Sequence, residues 1–243
     1  MAKLDKSLYT KEEWRKLKSE RKAFKQNLNN AISENTVTQK IKLESKDVAF
    51  VIGNGTSRSI IDLPQLKSKG TIYGCNALYR TFDPNYLIAV DTKMILEINK
   101  AGYQYKHTVW TNPNRSYVKM KGLNYFQPSK GWSSGPTALW LATQHSYKTI
   151  YILGFDYQGL DSGTKLNNIY ADTANYKKST DAATFFGNWS RQTQSVIKSS
   201  TKIKFVRVIN KDSYIPKEFS KLDNLSHITV EEFKKSSIFC NLF

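Results

Sequence analysis

A short apolar segment that ends at a glycine-rich turn constrains the fold of this chain more than any other feature. Residues 48–52 (VAFVI) are apolar and largely β-branched or aromatic, and residues 53–57 (GNGTS) follow directly. The run predicts a buried strand, and the turn would let backbone N–H groups approach a phosphate or nucleotide closely. A helix predicted over residues 60–69 would point its positive N-terminal end at the same place. The same pattern also occurs in tight turns that bind nothing.

Strand and helix patterns alternate between residues 47 and 210. The further predicted strands cover residues 71–75, 86–90, 107–110, 124–126, 149–153 and 204–208. The further predicted helices cover residues 94–101, 134–147 and 181–199. This alternation predicts an α/β, Rossmann-like fold, a mostly parallel sheet with helices on both faces. The long polar segment 157–180 is interpreted as a lid or binding loop.

The two ends of the chain differ from this central region. Thr10 and Glu13 form a capping box, which predicts a helix to about residue 31. Its apolar stripe comprises Trp14, Leu17, Phe24, Leu28 and Ala31. Its basic remainder comprises Lys16, Lys18, Arg21, Lys22 and Lys25. The helix is interpreted either as an element docked through its stripe or as an arm that reaches a polyanion or a second subunit.

These differences predict three regions. A basic helical extension and linker covers residues 1–46, a nucleotide-binding catalytic domain covers 47–210, and a C-terminal tail covers 211–243. The composition of the extension, which is polar from residue 33 to residue 46, favours a linker between the helix and the domain.

The charge of the chain calls for an explanation. The 243 residues include 37 Lys and Arg and 20 Asp and Glu, which gives a net charge of +17. A basic surface attracts polyanions such as nucleic acid, an anionic membrane face or an acidic glycan, although a lysine-rich composition without such a partner is the alternative. No stretch approaches the roughly 20 apolar residues that span a bilayer, and Cys75 and Cys240 lack metal-ligand spacing. The sequence therefore predicts a soluble, cytoplasmic protein without a structural metal.

Polar residues follow the ends of several predicted strands. Asn76 follows the strand at 71–75, Asp91 follows the strand at 86–90, and Gly154 and Asp156 follow the strand at 149–153. Because the carboxyl ends of parallel strands share the edge where open α/β sheets bind ligands, we expect these residues and the glycine turn to lie together. Four such features at one edge favour a nucleotide-type ligand.

A further helix is predicted to begin at the same edge. Ser133 and Ser134 precede Gly135 at its start. The serines either cap the helix or hold a phosphate or carboxylate, and Gly135 permits a close approach.

Together these motifs resemble the small bacterial sialyltransferases that use CMP-sialic acid. They also resemble the wider relatives of those enzymes, which include archaeal pterin pyrophosphokinases and uncharacterised glycosyltransferases. The resemblance covers about residues 48–208 and is carried by VIGNGTS, CN, SSG and IYILGFDY at positions 51–57, 75–76, 133–135 and 150–157. It implies a Rossmann-like fold, a CMP- or UDP-linked nucleotide sugar as co-substrate, and no metal or other cofactor.

The resemblance and the strand-end pattern together define a predicted donor site. Its residues around the turns are Gly53, Asn54, Gly55, Thr56, Ser57, Asn76, Ser133, Ser134, Gly135 and Gly154. The family also implies lid tyrosines that assist the leaving phosphate, and these are sought among Tyr157, Tyr170 and Tyr176.

The proton acceptor has to differ from that of the sialyltransferases. Those enzymes use a histidine after the lid, whereas residues 175–194 contain none, and Thr56 stands where the family usually has proline. Asp91 and Asp156, at the predicted edge, are therefore the candidate catalytic bases. Helix capping or acceptance of ligand hydroxyls is the alternative role for both. No DxD motif is present, so no metal-bound diphosphate is predicted.

The sequence therefore predicts a nucleotide-sugar-dependent glycosyltransferase whose lid, 157–180, closes over the donor and excludes water. The acceptor is expected to be a hydroxyl of a polyanion. One hypothesis is a hydroxymethylated pyrimidine in DNA, as in bacteriophage DNA glycosyltransferases, and the other is a cell-surface or lipid-linked glycan. A pyrophosphokinase and a non-catalytic nucleotide-binding protein are the alternatives from other classes.

Overall fold

The computed structural model describes residues 9–35 and 47–236, without the side chains of residues 28, 29 and 31–35. Within them eight strands form one sheet. They are β1 (Val48–Ile52), β2 (Thr71–Cys75), β3 (Tyr86–Ile88), β4 (Val109–Thr111), β5 (Leu123–Tyr125), β6 (Thr149–Leu153), β7 (Lys204–Ile209) and β8 (Leu225–Thr229). The strands lie in the order β5-β4-β3-β2-β1-β6-β7-β8, and every neighbouring pair is parallel.

Helices cover both faces of this sheet. They are α1 (Lys11–Asn35), α2 (Leu63–Leu66), α3 (Thr92–Lys100), α4 (Ser134–Thr143), α5 (Gly187–Ser199) and α6 (Val230–Lys235). Ala49 and Val51 of β1 share a buried cluster with α4 and α5, whereas Phe50 and Ile52 share the opposite cluster with α2, α3 and α6. A strand buried on both faces has to be apolar throughout, which explains its continuous apolar run. The predicted α/β, Rossmann-like fold is confirmed.

The chain order reverses between β1 and β6. Strands β1 to β5 progress towards one edge, and the chain then returns to place β6 on the other side of β1. The loops that follow β1 and β6 therefore lie side by side. The Gly53 N–H donates to the Leu153 carbonyl at 2.8 Å, and the Gly55 N–H donates to the Gly154 carbonyl at 2.9 Å. Such a reversal opens the crevice in which sheets of this kind bind ligands.

Some helices are shorter than the sequence pattern predicts. The helix expected over 60–69 is the single turn α2, because Pro64 can begin a helix and the chain turns at Gly70 before β2. The helix expected over 181–199 begins only at Gly187, and the one expected over 134–147 ends at Thr143.

The prediction of a C-terminal tail over residues 211–243 is wrong for residues 211–236. This segment contributes β8, which pairs in parallel with β7, and α6, whose Val230 and Phe233 are buried. Thr229 and Glu232 form a capping box that begins α6. The pattern of β8 is weak because an edge strand is only partly covered, and most of its residues are half-buried. Residues 237–243 lie outside the described residues.

The basic helix α1 lies beside β5. Trp14, Leu17 and Phe24 are half-buried, and the Arg115 guanidinium stands 5.2 Å from the centre of the Phe24 ring. Arg21 is also half-buried, so it belongs to the docked stripe and not to the exposed basic surface.

The remaining predictions for this end of the chain are only partly covered by the structure. The side chains of Leu28 and Ala31 lie outside the described residues. Of the expected linker, residues 33–35 belong to α1 and residues 36–46 lie outside the described part. No helix in the described ranges is both long and apolar enough to cross a membrane.

Candidate functional site

A cavity of about 620 Å³ lies at the carboxyl-terminal edge of the sheet. Most of the predicted site residues line it: Gly53, Asn54, Gly55, Asn76, Asp91, Ser133, Ser134, Gly135, Gly154, Asp156, Tyr157 and Tyr176. The convergence expected from the strand ends is therefore present. Three predicted residues, Thr56, Ser57 and Tyr170, are not part of the cavity wall.

Close backbone contact explains the glycines of the turn after β1. A Cβ atom on Gly55 would lie 2.5 Å from the Asp156 carboxyl group, and one on Gly53 would lie 2.5 Å from the Gly154 carbonyl oxygen. Only glycine fits at either position without moving the neighbouring loop. These residues therefore bring the two loops at the chain reversal into contact, and both loops face the cavity.

Thr56 and Ser57 hold this turn in place from behind the cavity wall. The Ser57 N–H donates to Asp156 Oδ2 at 3.1 Å, and the Ser57 hydroxyl donates to Asp156 Oδ1. The Thr56 N–H and hydroxyl both donate to Asn167 Oδ1, each at 2.9 Å. Both oxygens of the buried Asp156 carboxylate are thus engaged, which suits a group that shapes the turn better than one that accepts a proton from a substrate.

Two buried arginines bind the carbonyl groups of the same two loops. Arg58 Nε donates to the Gly53 carbonyl at 2.6 Å. Arg207, which is 1% exposed, donates from Nε to the Phe155 carbonyl at 2.8 Å and from Nη2 to the Asp156 carbonyl at 2.9 Å. Burial lowers the pKa of Arg207 from its ordinary value.

Sequence reasoning missed both arginines. The available signal was a charged residue inside the apolar run of β7 that follows Lys204, since an arginine there needs several buried acceptors. Arg58 gave a weaker signal, because a basic residue next to a glycine turn is commonly exposed.

Asn76 and Ser134 join the ends of β2 and β3 to the start of α4. The Ser134 hydroxyl donates to Asn76 Oδ1 at 2.8 Å and accepts from the Val90 N–H at 3.1 Å. Asn76 has φ 52°, a left-handed conformation that asparagine tolerates better than most residues. Its Nδ2 makes no hydrogen bond to any described residue, so this amide group is available as a donor at the cavity.

Two helices begin at the cavity. Asp91 is the N-cap of α3 and Ser133 is the N-cap of α4, and neither side chain makes a capping hydrogen bond. The first N–H groups of a helix lack partners within it and give this end a partial positive charge. An anionic ligand group is therefore favoured at this wall of the cavity.

Asp91 is the carboxylate of the cavity that is open to solvent. Its side chain is exposed and, within the described residues, forms no ion pair. Neighbouring protein atoms remove part of the water around the carboxylate, and this desolvation raises the pKa of Asp91 from its ordinary value of 3.8. Of the two predicted bases, Asp91 is the one whose oxygens are free to meet a substrate hydroxyl.

The lid segment 157–180 is docked on the turn after β1. Asn54 Nδ2 donates to the Tyr176 hydroxyl at 3.1 Å, and the Ile169 N–H donates to the Asn54 carbonyl at 2.8 Å. Asn54 Oδ1 is a buried acceptor without a partner among the described residues. Asn54 thus lines the cavity and keeps an enclosed acceptor oxygen beside the docked lid.

An ion pair outside the lid fixes its far end, and sequence reasoning did not predict it. Arg80 contacts Glu97 at 2.6 Å through Nη2, and it also donates to Thr173 Oγ1 and the Ala174 carbonyl, each at 2.8 Å. Asn175 Nδ2 donates to Glu97 Oε2 at 2.5 Å. We call these five residues the latch. They hold the part of the lid that carries Asn175 and Tyr176 against the body of the protein.

The three predicted lid tyrosines have different environments. Tyr157 lines the cavity but is buried, and its hydroxyl donates to Thr193 Oγ1 at 2.6 Å. The Tyr170 hydroxyl lies away from the cavity and accepts from Arg58 Nη2 at 3.3 Å. The Tyr176 hydroxyl accepts from Asn54 Nδ2 and from the Ala77 N–H, and burial raises the pKa of Tyr176. Tyr176 is thus the lid tyrosine best placed to meet a ligand.

Other residues of the cavity wall carry hydrogen-bonding groups, aromatic rings or positive charge. They include Lys93, Asn167, Asn168, Asn175, Lys177, Phe186 and Trp189. The amides and Trp189 are suited to binding a base or sugar, because amides form directional hydrogen bonds and an indole ring stacks on either. The two lysines were not singled out from the sequence.

The described histidines lie outside the cavity wall. His145 bonds to the Tyr73 hydroxyl through Nδ1, and burial lowers the pKa of His145. Within the described residues, no group of three or more His, Cys, Asp or Glu side chains is arranged to hold a metal ion.

Comparisons with protein-family models, with curated proteins and with solved structures found no match to this chain.

Proposed function

We propose that this protein is a nucleotide-sugar-dependent glycosyltransferase whose donor occupies the cavity at the chain reversal. The observation that carries the proposal is the composition of one cavity wall. A glycine turn, two helix N-termini and an accessible carboxylate meet there beneath a docked lid. Phosphate groups favour helix N-termini, and a lid excludes the water that would otherwise hydrolyse an activated sugar.

The nucleoside part of the donor has suitable partners. Within the described residues, neither Asn54 Oδ1 nor Asn76 Nδ2 has a hydrogen-bond partner, although a ligand reaches the buried Asn54 oxygen only if the lid moves. A base or ribose presents both donors and acceptors, so these two side chains can bind it directionally. Trp189, which is 39% exposed at the cavity, supplies a flat ring for stacking.

Asp91 is the proposed proton acceptor for transfer. The acceptor hydroxyl oxygen attacks the anomeric carbon, and its proton passes to the Asp91 carboxylate. The bond from the anomeric carbon to the phosphate oxygen breaks, and its electron pair stays on the phosphate. A carboxylate whose pKa is raised by desolvation is a stronger base than an ordinary aspartate.

The acceptor is proposed to be polyanionic because the chain carries a net charge of +17. Our first candidate is a hydroxymethylated pyrimidine in DNA. The lysines on the outer side of α1, including Lys18, Lys22 and Lys25, are exposed and available to phosphates. A cell-surface or lipid-linked glycan is the other acceptor to be tested.

A thermal-shift screen with CMP, UDP and their sugar conjugates tests donor binding, because a ligand of the native state raises the melting temperature. Asn76→Ala should lose about 1–3 kcal/mol of nucleotide binding. Asn210→Ala is the control, since Asn210 is exposed and outside the cavity wall. A folded Asn76→Ala variant with unchanged affinity would contradict the assigned site.

Product analysis then separates the functions. Transfer of the sugar to DNA that contains hydroxymethylated pyrimidines, or to a glycan, supports the proposal and identifies the acceptor. Release of the donor unchanged indicates a sequestering protein, and consumption of a triphosphate with Mg²⁺ indicates a pyrophosphokinase. If no nucleotide or nucleotide sugar binds, the proposed function is wrong.

A further inference from the structure

We propose that Lys93 and Lys177 form a two-cation clamp that binds a pair of adjacent anionic groups on the ligand and stabilises the leaving phosphate. The inference rests on the proposed function and deepens it, because it specifies the charge that the donor must carry. A nucleoside diphosphate sugar has two such groups in its diphosphate. A nucleoside monophosphate joined to an acidic sugar has them in its phosphate and carboxylate.

The two lysines reach the cavity from different parts of the chain. Lys93 lies in the first turn of α3, directly after the N-cap Asp91 and Thr92. Lys177 belongs to the lid and follows Tyr176, which is hydrogen-bonded to Asn54. Both lysines line the same cavity. A ligand held between the body of the protein and the lid can therefore meet one lysine from each wall.

Neither lysine is neutralised within the described residues. The ion pairs of that part of the chain involve Arg80, His107, Lys148 and Lys165, and none includes Lys93 or Lys177. Of the two carboxylates in the cavity, Asp156 already accepts two hydrogen bonds from Ser57. The lysine ammonium groups are therefore available to a ligand.

The charge of the cavity fits a ligand with two anionic groups. The cavity wall contains two lysines, two helix N-termini and two aspartates. Each helix N-terminus is equivalent to roughly half a positive charge, so positive charge exceeds negative charge at this wall. An uncharged nucleoside would leave the lysines unpaired, whereas two adjacent anionic groups would pair with both. The attraction is stronger in a cavity that the lid partly closes off from water than at an open surface.

The clamp also has a role in the reaction. When the bond between the anomeric carbon and the phosphate oxygen breaks, the phosphate gains negative charge. Lys93 and Lys177 interact more strongly with this developing charge than with the intact donor, and such a difference accelerates transfer. Since Lys177 lies on the lid, ligand charge also favours the docked position of the lid.

The test compares ligands of increasing charge by calorimetric titration. Uridine, UMP, UDP and inorganic diphosphate are titrated into the wild type, Lys93→Met and Lys177→Met. Wild-type affinity should increase from uridine to UDP, and each clamp variant should bind UDP and inorganic diphosphate about tenfold more weakly. Uridine affinity should stay the same, because neither lysine is assigned to the nucleoside.

Two neighbouring lysines provide matched controls. Lys100 ends the helix that contains Lys93, and Lys178 follows Lys177, yet neither lines the cavity. Lys100→Met and Lys178→Met should bind every ligand as the wild type does. Equal losses in the controls and the clamp variants would overturn the proposal, since they would reflect net charge alone. Unchanged diphosphate affinity in both clamp variants, with melting temperatures showing intact folds, would also overturn it.

Inorganic diphosphate separates this inference from the proposed function. If inorganic diphosphate binds through the two lysines while no nucleotide binds, the clamp is supported and the glycosyltransferase proposal is wrong. If nucleotides bind but their affinity does not depend on ligand charge, the clamp proposal is wrong and the nucleotide site is supported. Titration of a UDP-linked neutral sugar beside a CMP-linked acidic sugar identifies which pair of anionic groups the clamp prefers.

Discussion

Ser57 donates two hydrogen bonds to Asp156, one from its backbone N–H and one from its hydroxyl. The two residues are 99 positions apart in the chain and belong to the loops that meet where the strand order reverses. The pair is buried, with Ser57 3% and Asp156 8% exposed. The pair therefore fixes the shape of the cavity wall, although Ser57 itself is not part of that wall.

This pair should show strong coupling in a double-mutant cycle. Ser57→Ala removes the hydroxyl donor and Asp156→Asn removes the charge of the acceptor. We expect a coupling free energy of about 1–3 kcal/mol in urea-induced unfolding, because each single change leaves a buried partner without its hydrogen bond. Ser59→Ala, on an exposed side chain, is the control. Additive effects of the two changes would show that the bond contributes little.

Arg207 should be among the most sensitive positions of the sheet. Arg207→Met leaves the carbonyls of Phe155, Asp156 and Tyr214 without this donor and should lower the free energy of unfolding by about 3 kcal/mol or more. Lys204→Met, at the exposed start of the same strand, should change it by less than about 0.5 kcal/mol. Chemical denaturation measures both. Similar stabilities for the two variants would contradict the assigned role of Arg207.

The pH dependence of transfer should report Asp91. A general base acts only when deprotonated, so the rate should fall as the pH decreases through the raised pKa of Asp91. The acidic limb should therefore lie at a higher pH than the ordinary aspartate value of 3.8. Asp91→Asn should remove most of the turnover and this limb while preserving donor binding. A normal pH–rate profile for Asp91→Asn would assign the base elsewhere.

The latch should open at acidic pH. Partial burial acts to raise the pKa of Glu97, but hydrogen bonds from Arg80, Tyr79 and Asn175 outweigh it and hold the pKa below the ordinary value of 4.5. The contribution of Glu97 is therefore complete above about 4.5 and is lost as the pH falls through its lowered pKa. Hydrogen exchange of residues 170–177 should accelerate there.

Arg80→Met should produce the same fast exchange in the lid at neutral pH, because it removes the donor that joins Thr173 and Ala174 to Glu97. Lys100→Met is the control on the same side of the sheet. Slow exchange in Arg80→Met would mean that the remaining contacts of the lid, with Asn54, Thr56, Arg58 and Ala77, are sufficient to hold it.

The exposed lysines of α1 should contribute to DNA binding if DNA is the acceptor. Charge reversal at Lys18, Lys22 and Lys25 should weaken binding and flatten its salt dependence, by about 0.9 in the logarithmic slope per lost phosphate contact. Arg21 is left unchanged because it lies on the docked stripe. Donor affinity should be unaffected.

The control for this experiment reverses three exposed lysines near the start of β7, which α1 and β5 do not contact: Lys198, Lys202 and Lys204. Equal weakening by both sets would point to net charge without a defined DNA surface. No binding by the wild type at low salt would favour the glycan acceptor.

The part of the site that follows from sequence is the part governed by the sheet. Parallel strands bring their carboxyl ends to one edge, so the positions of Asn76, Asp91 and Asp156 could be predicted before their contacts were known. The same rule says nothing about which atoms face the cavity. Thr56 and Ser57 belong to the predicted turn, yet their side chains bond to Asn167 and Asp156 behind the wall.

The missed residues depend on contacts between distant segments. Arg80 and Glu97 form the latch only because the lid returns to them, with Asn175 lying 78 positions after Glu97 in the chain. No local pattern marks such a meeting. Strand β8 was missed for a different reason, since an edge strand is only partly buried and its alternation of apolar residues is weak.

The docked lid has a kinetic consequence. Tyr176 and Lys177 form part of the cavity wall, so a ligand held against them leaves more readily once the lid contacts with Asn54, Thr56 and Arg80 break. If the protein transfers a sugar as proposed, opening of the lid would limit the exit of the spent nucleotide, and the first turnover would be faster than those that follow.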